Sequence, residues 1–141
     1  MILSKLRSVP VKKGEYAPTV SILIAAYNEA KCIGKTIENK LALNYPGDKI
    51  EIIVISDGSD DGTDEIVRRY ADKGVKLIRQ EPRAGKTSAL NLAIHRARGE
   101  IIVFSDANSL YERDAIRKLL ANFNDPGIGY VTGKMIYVNP D

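Results

Sequence analysis

Two short segments of the sequence carry side chains that can bind a phosphorylated ligand together with a metal ion. Arg83 and Lys86 offset phosphate charge, and the glycine between them, Gly85, lets backbone N–H groups approach an anion. Asp106 and Asn108 supply hard oxygen ligands, which Mg²⁺ or Mn²⁺ accepts while phosphate oxygens and water complete the octahedron. These residue types predict a site for a diphosphate and a divalent cation.

Two further segments carry groups that suit a nucleoside. The ring of Tyr27 can stack on a base, and the carboxylate of Asp57 can accept a hydrogen bond from a base N–H. Each motif also has a plainer interpretation, because Asp57 and Asp106 are typical turn residues, Tyr27 can pack in a core, and Ser59 and Thr63 are typical helix caps. Taken together, the four segments favour a nucleoside diphosphate bound with a metal.

The elements that must position these side chains follow from the hydrophobic pattern. Short runs rich in β-branched residues predict strands at 20–25, 51–56, 75–79, 101–105 and 129–132. Three apolar stripes with helical spacing lie between or after these runs: Ile33, Ile37 and Leu41; Leu90, Ala93, Ile94 and Ala97; Ile116, Leu119, Leu120 and Phe123. The alternation predicts an α/β fold with a mostly parallel sheet. Because 52–55 and 101–104 are apolar throughout, we expect helices on both faces of that sheet.

The order of the elements predicts where the site lies. Ligands of open parallel sheets bind outside the carboxyl ends of the strands, where the loops diverge. Each of the four segments directly follows one predicted strand, whereas the loops at the other edge, 44–49 and 72–74, have ordinary turn composition. We therefore expect one crevice at the carboxyl edge of the sheet.

Size and charge restrict the other possibilities. A chain of 141 residues makes one domain, and its apolar runs fall far short of the roughly 20 residues that cross a bilayer. The net charge of +3 lies in residues 1–20, so the rest of the chain is neutral and nucleic acid is not an expected partner. We predict a basic arm at 1–18 and a ligand-binding domain at 19–141.

The single cysteine, Cys32, forms no internal disulfide, which is typical of the cytoplasm.

Several well-known motifs are excluded on inspection. The GKT at 85–87 resembles the end of a P-loop, but Gln80 stands where that loop requires glycine. The acidic run that begins at Asp57 has Arg68 in place of the last EF-hand glutamate. His95 lies off the apolar stripe of its helix and is interpreted as solvent-exposed. Cys32 is interpreted as structural, because a catalytic thiol needs a positioned base and the chain has one histidine.

Four segments, in this order and spacing, resemble the N-terminal half of a family 2 glycosyltransferase with the GT-A fold, a Rossmann-like sheet. The resemblance runs from about residue 20 to residue 138. It rests on VSILIAAYNE at 20–29, SDGSDDGT at 56–63, RAGKTSALN at 83–91 and SDAN at 105–108. The third segment is most similar to processive, membrane-embedded members that resemble cellulose, chitin or poly-N-acetylglucosamine synthases. The implied partner is a UDP-sugar donor.

The resemblance implies a role for each matched residue on the nucleoside side of the site. Ala26 and the ring of Tyr27 would line the nucleoside pocket, with Glu29 nearby. Asp57 would hydrogen-bond the base, most often uracil.

The resemblance also implies the diphosphate and metal ligands. Lys86 would approach the diphosphate, and Asp106, which opens the family's Asp-x-Asp segment, would bind the donor and the metal. Asn108 stands at the third position of that segment, where it keeps an oxygen ligand but loses a charge. The implied cofactor is Mg²⁺ or Mn²⁺, which would stabilise negative charge as UDP leaves the sugar.

The family's acidic base and its acceptor-site Gln-x-x-Arg-Trp segment would lie beyond Asp141, and the sequence contains no tryptophan. We therefore expect a donor-binding half that is truncated on its C-terminal side, holds no catalytic residue and is inactive alone. We expect a carbohydrate or lipid-linked acceptor, a full-length enzyme in the cytoplasm or at the cytoplasmic face of the membrane, and self-association of the fragment through uncovered apolar surface. The alternatives are a non-catalytic assembly or regulatory domain, and a nucleotidyltransferase of related fold.

Overall fold

Four parallel strands form the centre of the protein, which the computed structural model describes over residues 17–136. The regular elements are β1 (Val20–Ala26), α1 (Ile33–Leu41), β2 (Ile50–Asp57), α2 (Thr63–Arg68), β3 (Lys76–Gln80), α3 (Lys86–Ile94), β4 (Ile101–Asp106) and α4 (Ala115–Leu120). Short 3₁₀ turns lie at Gly47–Lys49, Ala71–Lys73 and Ala121–Asn124. The predicted basic arm, apart from its last two residues, lies outside the described residues.

The strand order is β3-β2-β1-β4, and every neighbouring pair is parallel. The register brings the carboxyl ends of the strands to one level. Ala25 pairs with Ile55 on one side and with Asp106 on the other, and Asp57 pairs with Gln80. The loops that follow all four strands therefore leave the sheet at the same edge.

Side chains on the two faces of the sheet form two apolar clusters. One cluster joins the sheet to α1, α2 and α4 through Ile33, Ile37, Val67 and Ile116, and the other joins it to α3 through Ala89. The central strands β1 and β2 are buried on both faces, as their continuous apolar runs predict. Each fully buried isoleucine or leucine stabilises the fold by about 1.5–3 kcal/mol.

Two expectations about burial are wrong. Strand β4 is only partly covered on the face that carries Ile102 and Phe104, and Phe104 is 51% exposed because α3 packs mainly on β1 and β2. In α3 the buried residues are Ala89 and Ala93, whereas Ile94 of the predicted stripe is 39% exposed. Small residues lie at the contact because they let the helix approach the sheet closely.

The predicted strand at 129–132 is also wrong. None of the four strands pairs with it, and Tyr130 is 79% exposed. A β-branched run forms a strand only where a neighbouring strand supplies hydrogen bonds, so propensity alone does not decide the outcome.

No helix within residues 17–136 combines the length and the apolar character that a membrane crossing requires.

Candidate functional site

A crevice of about 420 Å³ opens at the carboxyl edge of the sheet. Its lining comes from all four loops: Ala25, Ala26, Tyr27, Glu29, Asp57, Arg83, Lys86, Asp106, Ala107 and Asn108. The structure therefore brings together every residue to which the sequence assigns donor or metal binding. Their individual roles stay predictions.

The first loop is held in place by the second. Asn28 adopts a left-handed backbone conformation with φ of 53°, which asparagine tolerates better than most residues. Its N–H donates to Ser59 Oγ at 3.1 Å, and its side-chain oxygen accepts from the N–H of Asp60 at 3.0 Å. These bonds fix the loop that carries Tyr27 into the crevice.

A second pair of bonds extends this connection. The N–H of Glu29 donates to Thr63 Oγ1 at 2.9 Å, and the N–H of Ala30 donates to the Asp61 carboxylate at 3.0 Å. Ser59 and Thr63, which the sequence suggests as helix caps, therefore bind the neighbouring loop, and helix α2 begins without a side-chain cap. Their hydroxyl groups position the crevice wall.

Asp57 is 3% exposed and organises the loop before α3. Its Oδ1 accepts from Gln80 Nε2 at 2.6 Å and from the N–H of Ala84 at 2.8 Å, and its Oδ2 accepts from the N–H of Gly85 at 2.8 Å. Burial alone raises the pKa of Asp57, but the hydrogen bonds from Ala84, Gln80 and Gly85 outweigh it and hold the pKa below its ordinary value. The Asp57 side chain is therefore a carboxylate at neutral pH.

The hydrogen bonds accepted by Asp57 alter what the sequence suggests for the N–H groups around Gly85 and for Asp57 itself. The backbone N–H groups around Gly85, which the sequence suggests for phosphate, already bind Asp57. A carboxylate has about four lone-pair positions, and three are occupied here. The remaining acceptor position of Asp57, at Oδ2, makes no hydrogen bond within the described residues and faces Arg83 Nε, which lies 3.8 Å away in an ion pair.

Tyr27 and Arg83 form a stacked pair at the crevice. The guanidinium carbon of Arg83 lies 3.6 Å from the centre of the Tyr27 ring, in cation–π geometry, and the tyrosine is 40% exposed. Sequence reasoning names Arg83 as a phosphate-neutralising side chain but omits it from the site. Its position in the crevice follows from tertiary packing, since it lies 56 positions after Tyr27 in the sequence.

Lys86 and Asp106 form an ion pair between α3 and the end of β4. Both side chains are about half-exposed, so the pair contributes little to stability and is easily exchanged for other partners. Asn108 is exposed two residues beyond Asp106. The pair places one cation and one carboxylate where an anionic ligand and its counter-cation would meet.

The oxygen atoms of Asp106 and Asn108 suit a metal ion that a bound diphosphate also coordinates. Within residues 17–136, no three His, Cys, Asp or Glu side chains cluster closely enough to hold a metal ion by themselves. Asp106 and Asn108 supply one carboxylate and one amide oxygen, and Mg²⁺ commonly takes one or two carboxylates with substrate phosphates and water as the remaining ligands. The residues present therefore fit a divalent cation carried by a diphosphate.

The structure agrees with the interpretation of His95 as solvent-exposed and of Cys32 as structural. His95 is exposed just beyond α3 and does not line the crevice. The Cys32 thiol donates to the Glu29 carboxylate at 2.9 Å. Burial, together with this carboxylate, raises the pKa of Cys32 to about 11, so the thiol stays protonated and is a poor nucleophile at neutral pH.

Residues 21–141 match the family described as Glycosyl transferase family 2. The chain is 38% identical over 128 residues to the probable glycosyltransferase YdaM of Bacillus subtilis (strain 168), covering 86% of this chain and 30% of that protein. It is 38% identical over 117 residues to the poly-beta-1,6-N-acetyl-D-glucosamine synthase of Staphylococcus aureus (strain COL), covering 81% and 28% respectively. The chain thus spans less than a third of the length of these curated relatives.

Solved structures with the same fold confirm the predicted GT-A architecture. The mannosyltransferase PcManGT of Pyrobaculum calidifontis, in complex with GDP-Man and Mn²⁺, superposes with a TM-score of 0.80 at 35% identity, over 86% of this chain and 38% of that one. S. aureus TarS 1–349, in complex with UDP-GlcNAc, gives a TM-score of 0.68 at 25% identity, over 71% and 29% respectively. The sheet described above corresponds to a part of each of these larger proteins.

Proposed function

Because the chain belongs to glycosyl transferase family 2, we propose that its crevice binds a UDP-sugar donor together with Mg²⁺ or Mn²⁺. The observation that carries this proposal is the convergence of four loops on one crevice of about 420 Å³, within the range of small-molecule sites. An aromatic ring, a carboxylate with one acceptor position that is not hydrogen-bonded, a half-exposed lysine and a pair of metal-type oxygens line that crevice. A nucleoside diphosphate with a divalent cation uses each of these groups.

On this proposal the nucleoside occupies the part of the crevice nearest β1. The base stacks against the Tyr27 and Arg83 pair, and Asp57 accepts its N–H at the remaining Oδ2 position. Ala26 leaves room for the nucleoside because its side chain is small, and Glu29 lines the same wall. A ring face contributes about 1–3 kcal/mol of binding free energy per stacked base.

The diphosphate lies between α3 and the end of β4. Lys86 exchanges its ion pair with Asp106 for one with the diphosphate, which costs little because both side chains are half-exposed. Asp106 and Asn108 then bind the cation. When bound, the cation supplies electrostatic stabilisation of the negative charge that develops on the leaving diphosphate.

The proposed reaction breaks the bond between the sugar's anomeric carbon and a diphosphate oxygen, so that UDP leaves with the electron pair. The oxygen of an acceptor hydroxyl forms the new bond to the anomeric carbon, and its proton passes to a base that we do not assign to this chain. We assign no catalytic residue to this chain, and we propose a carbohydrate or lipid-linked acceptor for the whole enzyme. We further propose that the enzyme works in the cytoplasm or at the cytoplasmic face of the membrane. Support for the polysaccharide class comes from the similarity to a poly-beta-1,6-N-acetyl-D-glucosamine synthase.

The neighbouring structures support both the nucleotide and the metal, but they hold two different donors, GDP-Man with Mn²⁺ in one and UDP-GlcNAc in the other. We propose UDP because the resemblance of the four segments implies uracil as the base, whose N3–H Asp57 can accept; the N1–H of guanine could use the same acceptor position. Calorimetric titration of the 141-residue chain with UDP and with GDP, each with and without Mn²⁺, tests the choice.

Asp106→Asn is the informative variant in that titration, and Asp72→Asn, an exposed aspartate at the opposite edge of the sheet, is its matched control. We expect Mn²⁺ to tighten UDP binding by about tenfold in the parent and the control, and much less in Asp106→Asn. The absence of UDP and GDP binding at millimolar concentration in a folded sample would refute the proposal. Tighter binding of GDP would correct the donor, and turnover of UTP with a sugar phosphate would favour a nucleotidyltransferase.

A further inference from the structure

One face of helix α1 contacts the loop that follows β4, away from the crevice itself. This face is formed by Thr36, Asn39 and Lys40, which recur with the spacing of a helical turn. None of the three lines the crevice. Their side chains nevertheless reach the stretch of chain that carries the proposed metal ligands.

The contacts fix the backbone on both sides of Asn108. Thr36 Oγ1 donates to the carbonyl of Ala107 at 2.5 Å, and Lys40 Nζ donates to the carbonyl of Ser109 at 2.6 Å. The residues immediately before and after the second proposed metal ligand are therefore both tied to α1. Together with the backbone bond from the N–H of Ser109 to the carbonyl of Asp106 at 3.2 Å, these two bonds fix the chain around Asn108.

Asn39 closes the far end of the same loop. Its Nδ2 donates to the carbonyl of Tyr111 at 2.9 Å, and its Oδ1 accepts from the N–H of Tyr111 at 2.8 Å. The Tyr111 ring lies 3.5 Å from Lys40 Nζ, in cation–π contact. The loop from Asp106 to Tyr111 is thus held by side chains of one helix at three points.

Burying the charged ammonium group of Lys40 at this contact costs free energy. Lys40 is 1% exposed, and among the described residues no carboxylate lies within ion-pair distance of its ammonium group. Burial lowers the pKa of Lys40 to about 8, because the charged form loses its contact with water. A methionine would fill the same space without the cost of burying a charge, but it would leave the carbonyl of Ser109 without this donor. What the charged group contributes here is therefore the bond that holds the loop next to Asn108.

We propose that Thr36, Asn39 and Lys40 are positioning residues, which hold Asp106 and Asn108 in the geometry that binds the metal of a metal–nucleotide complex. This inference rests on the proposed function, because it concerns the same metal. It assigns the three residues to metal affinity and leaves nucleotide binding to the crevice. Groups that orient metal ligands from outside typically change metal affinity by about 10- to 100-fold when they are removed.

The test measures two affinities in the 141-residue chain by calorimetry: UDP without metal, and Mn²⁺ at saturating UDP. Lys40→Met removes the donor to Ser109, and Thr36→Val removes the donor to Ala107 with little change of shape. Thr36→Ser keeps the hydroxyl and serves as the conservative rescue. Lys35→Met removes an exposed lysine from the same helix and is the matched control.

We expect Lys40→Met and Thr36→Val each to weaken Mn²⁺ binding by about tenfold, while the affinity for metal-free UDP stays within about twofold of the parent. Thr36→Ser and Lys35→Met should retain the parent's affinity for Mn²⁺. A merely structural role would lower both affinities together, through the folded fraction. If Lys40→Met does not fold, the comparison of Thr36→Val with Thr36→Ser distinguishes the positioning role from a merely structural one.

The two proposals fail in different ways. A parent chain that binds neither metal-free UDP nor UDP with Mn²⁺ overturns the proposed function and this inference with it. A parent chain that binds UDP with Mn²⁺, with the same Mn²⁺ affinity in Thr36→Val and Lys40→Met, overturns only the positioning role. Equal losses of Mn²⁺ affinity in Thr36→Val and Thr36→Ser would also overturn it, because the hydroxyl would then be irrelevant.

Discussion

Asp57→Asn should destabilise the protein more than its small change in shape suggests. The Asp57 carboxylate accepts two backbone N–H groups and one side-chain amide, and it is almost fully buried. An asparagine keeps one oxygen, so it can still accept from Ala84, but its own N–H₂ group then faces the N–H of Gly85. One buried donor is left without an acceptor, and the remaining bonds lose the strength that a charge gives them.

The magnitude follows from these bonds. A hydrogen bond to a charged group contributes about 1.5–3 kcal/mol, and an unsatisfied buried donor costs about 1–3 kcal/mol. Because the loop can relax in part, we expect Asp57→Asn to lower the free energy of unfolding by about 2–3 kcal/mol. Asp60→Asn is the control, because Asp60 is exposed on the same loop, and it should change stability by less than about 0.5 kcal/mol.

Urea unfolding at several pH values gives a second, independent test of how the Asp57 carboxylate contributes to stability. The folded pKa of Asp57 is lower than its unfolded value, so its stabilisation is present in full above the unfolded pKa of about 4. It is lost as the pH falls through the folded pKa. The stability difference between the parent and Asp57→Asn should therefore be largest at neutral pH and shrink in acid. A difference that equals that of Asp60→Asn, or that does not change with pH, would refute this account of Asp57.

Three further outcomes follow from the structure. Tyr27→Ala should raise the Kd for UDP by about tenfold through the lost stacking face, whereas Tyr27→Phe should retain binding in the same calorimetric titration. Gly99→Ala should lower the free energy of unfolding by about 2 kcal/mol, because the added Cβ would lie 2.4 Å from the backbone nitrogen of Ser21; Gly47→Ala, with open space around the new methyl group, is its control in urea. Since burial lowers the pKa of Lys40 to about 8, the unfolded chain binds one more proton than the folded chain between about pH 8 and pH 10, and stability should rise over that range. Lys40→Met should abolish this rise, and an identical rise in the variant would show that other groups cause it.

Sequence reasoning located the central strands and the edge that carries the site. Strands β1 and β2 match their predicted ranges to within one or two residues, because a continuous apolar run bounded by turn residues is characteristic of a strand buried on both faces. All seven residues assigned to the donor and the metal line one crevice, because the carboxyl ends of parallel strands converge at one edge. That rule depends on strand direction, which the alternation of elements predicts, whereas the strand order is known only from the structure.

Expectations that depended on a neighbouring element were less successful. The exposed face of β4 at Phe104 and the unpaired segment at 129–132 have the composition of buried strands, but burial depends on whether a helix or a strand lies beside them. For the same reason, Arg83 was predicted to offset phosphate charge but was not included among the site residues, and Gln80 and Lys40 were assigned no role in the site. Their importance comes from contacts with residues more than 20 positions away in the sequence.

The sequence by itself determined the class of fold, the family and the edge of the sheet where the chemistry would lie, because hydrophobic period and local motifs depend on neighbours along the chain. Only the tertiary structure decided how the acidic side chains are used. Asp57 and Asp106 look equally available in the sequence, yet the first is almost saturated with buried hydrogen bonds and the second is half-exposed beside Lys86. Solvent access and hydrogen-bond partners arise when distant segments pack together, and they determine whether a carboxylate supports a loop or remains open to a ligand.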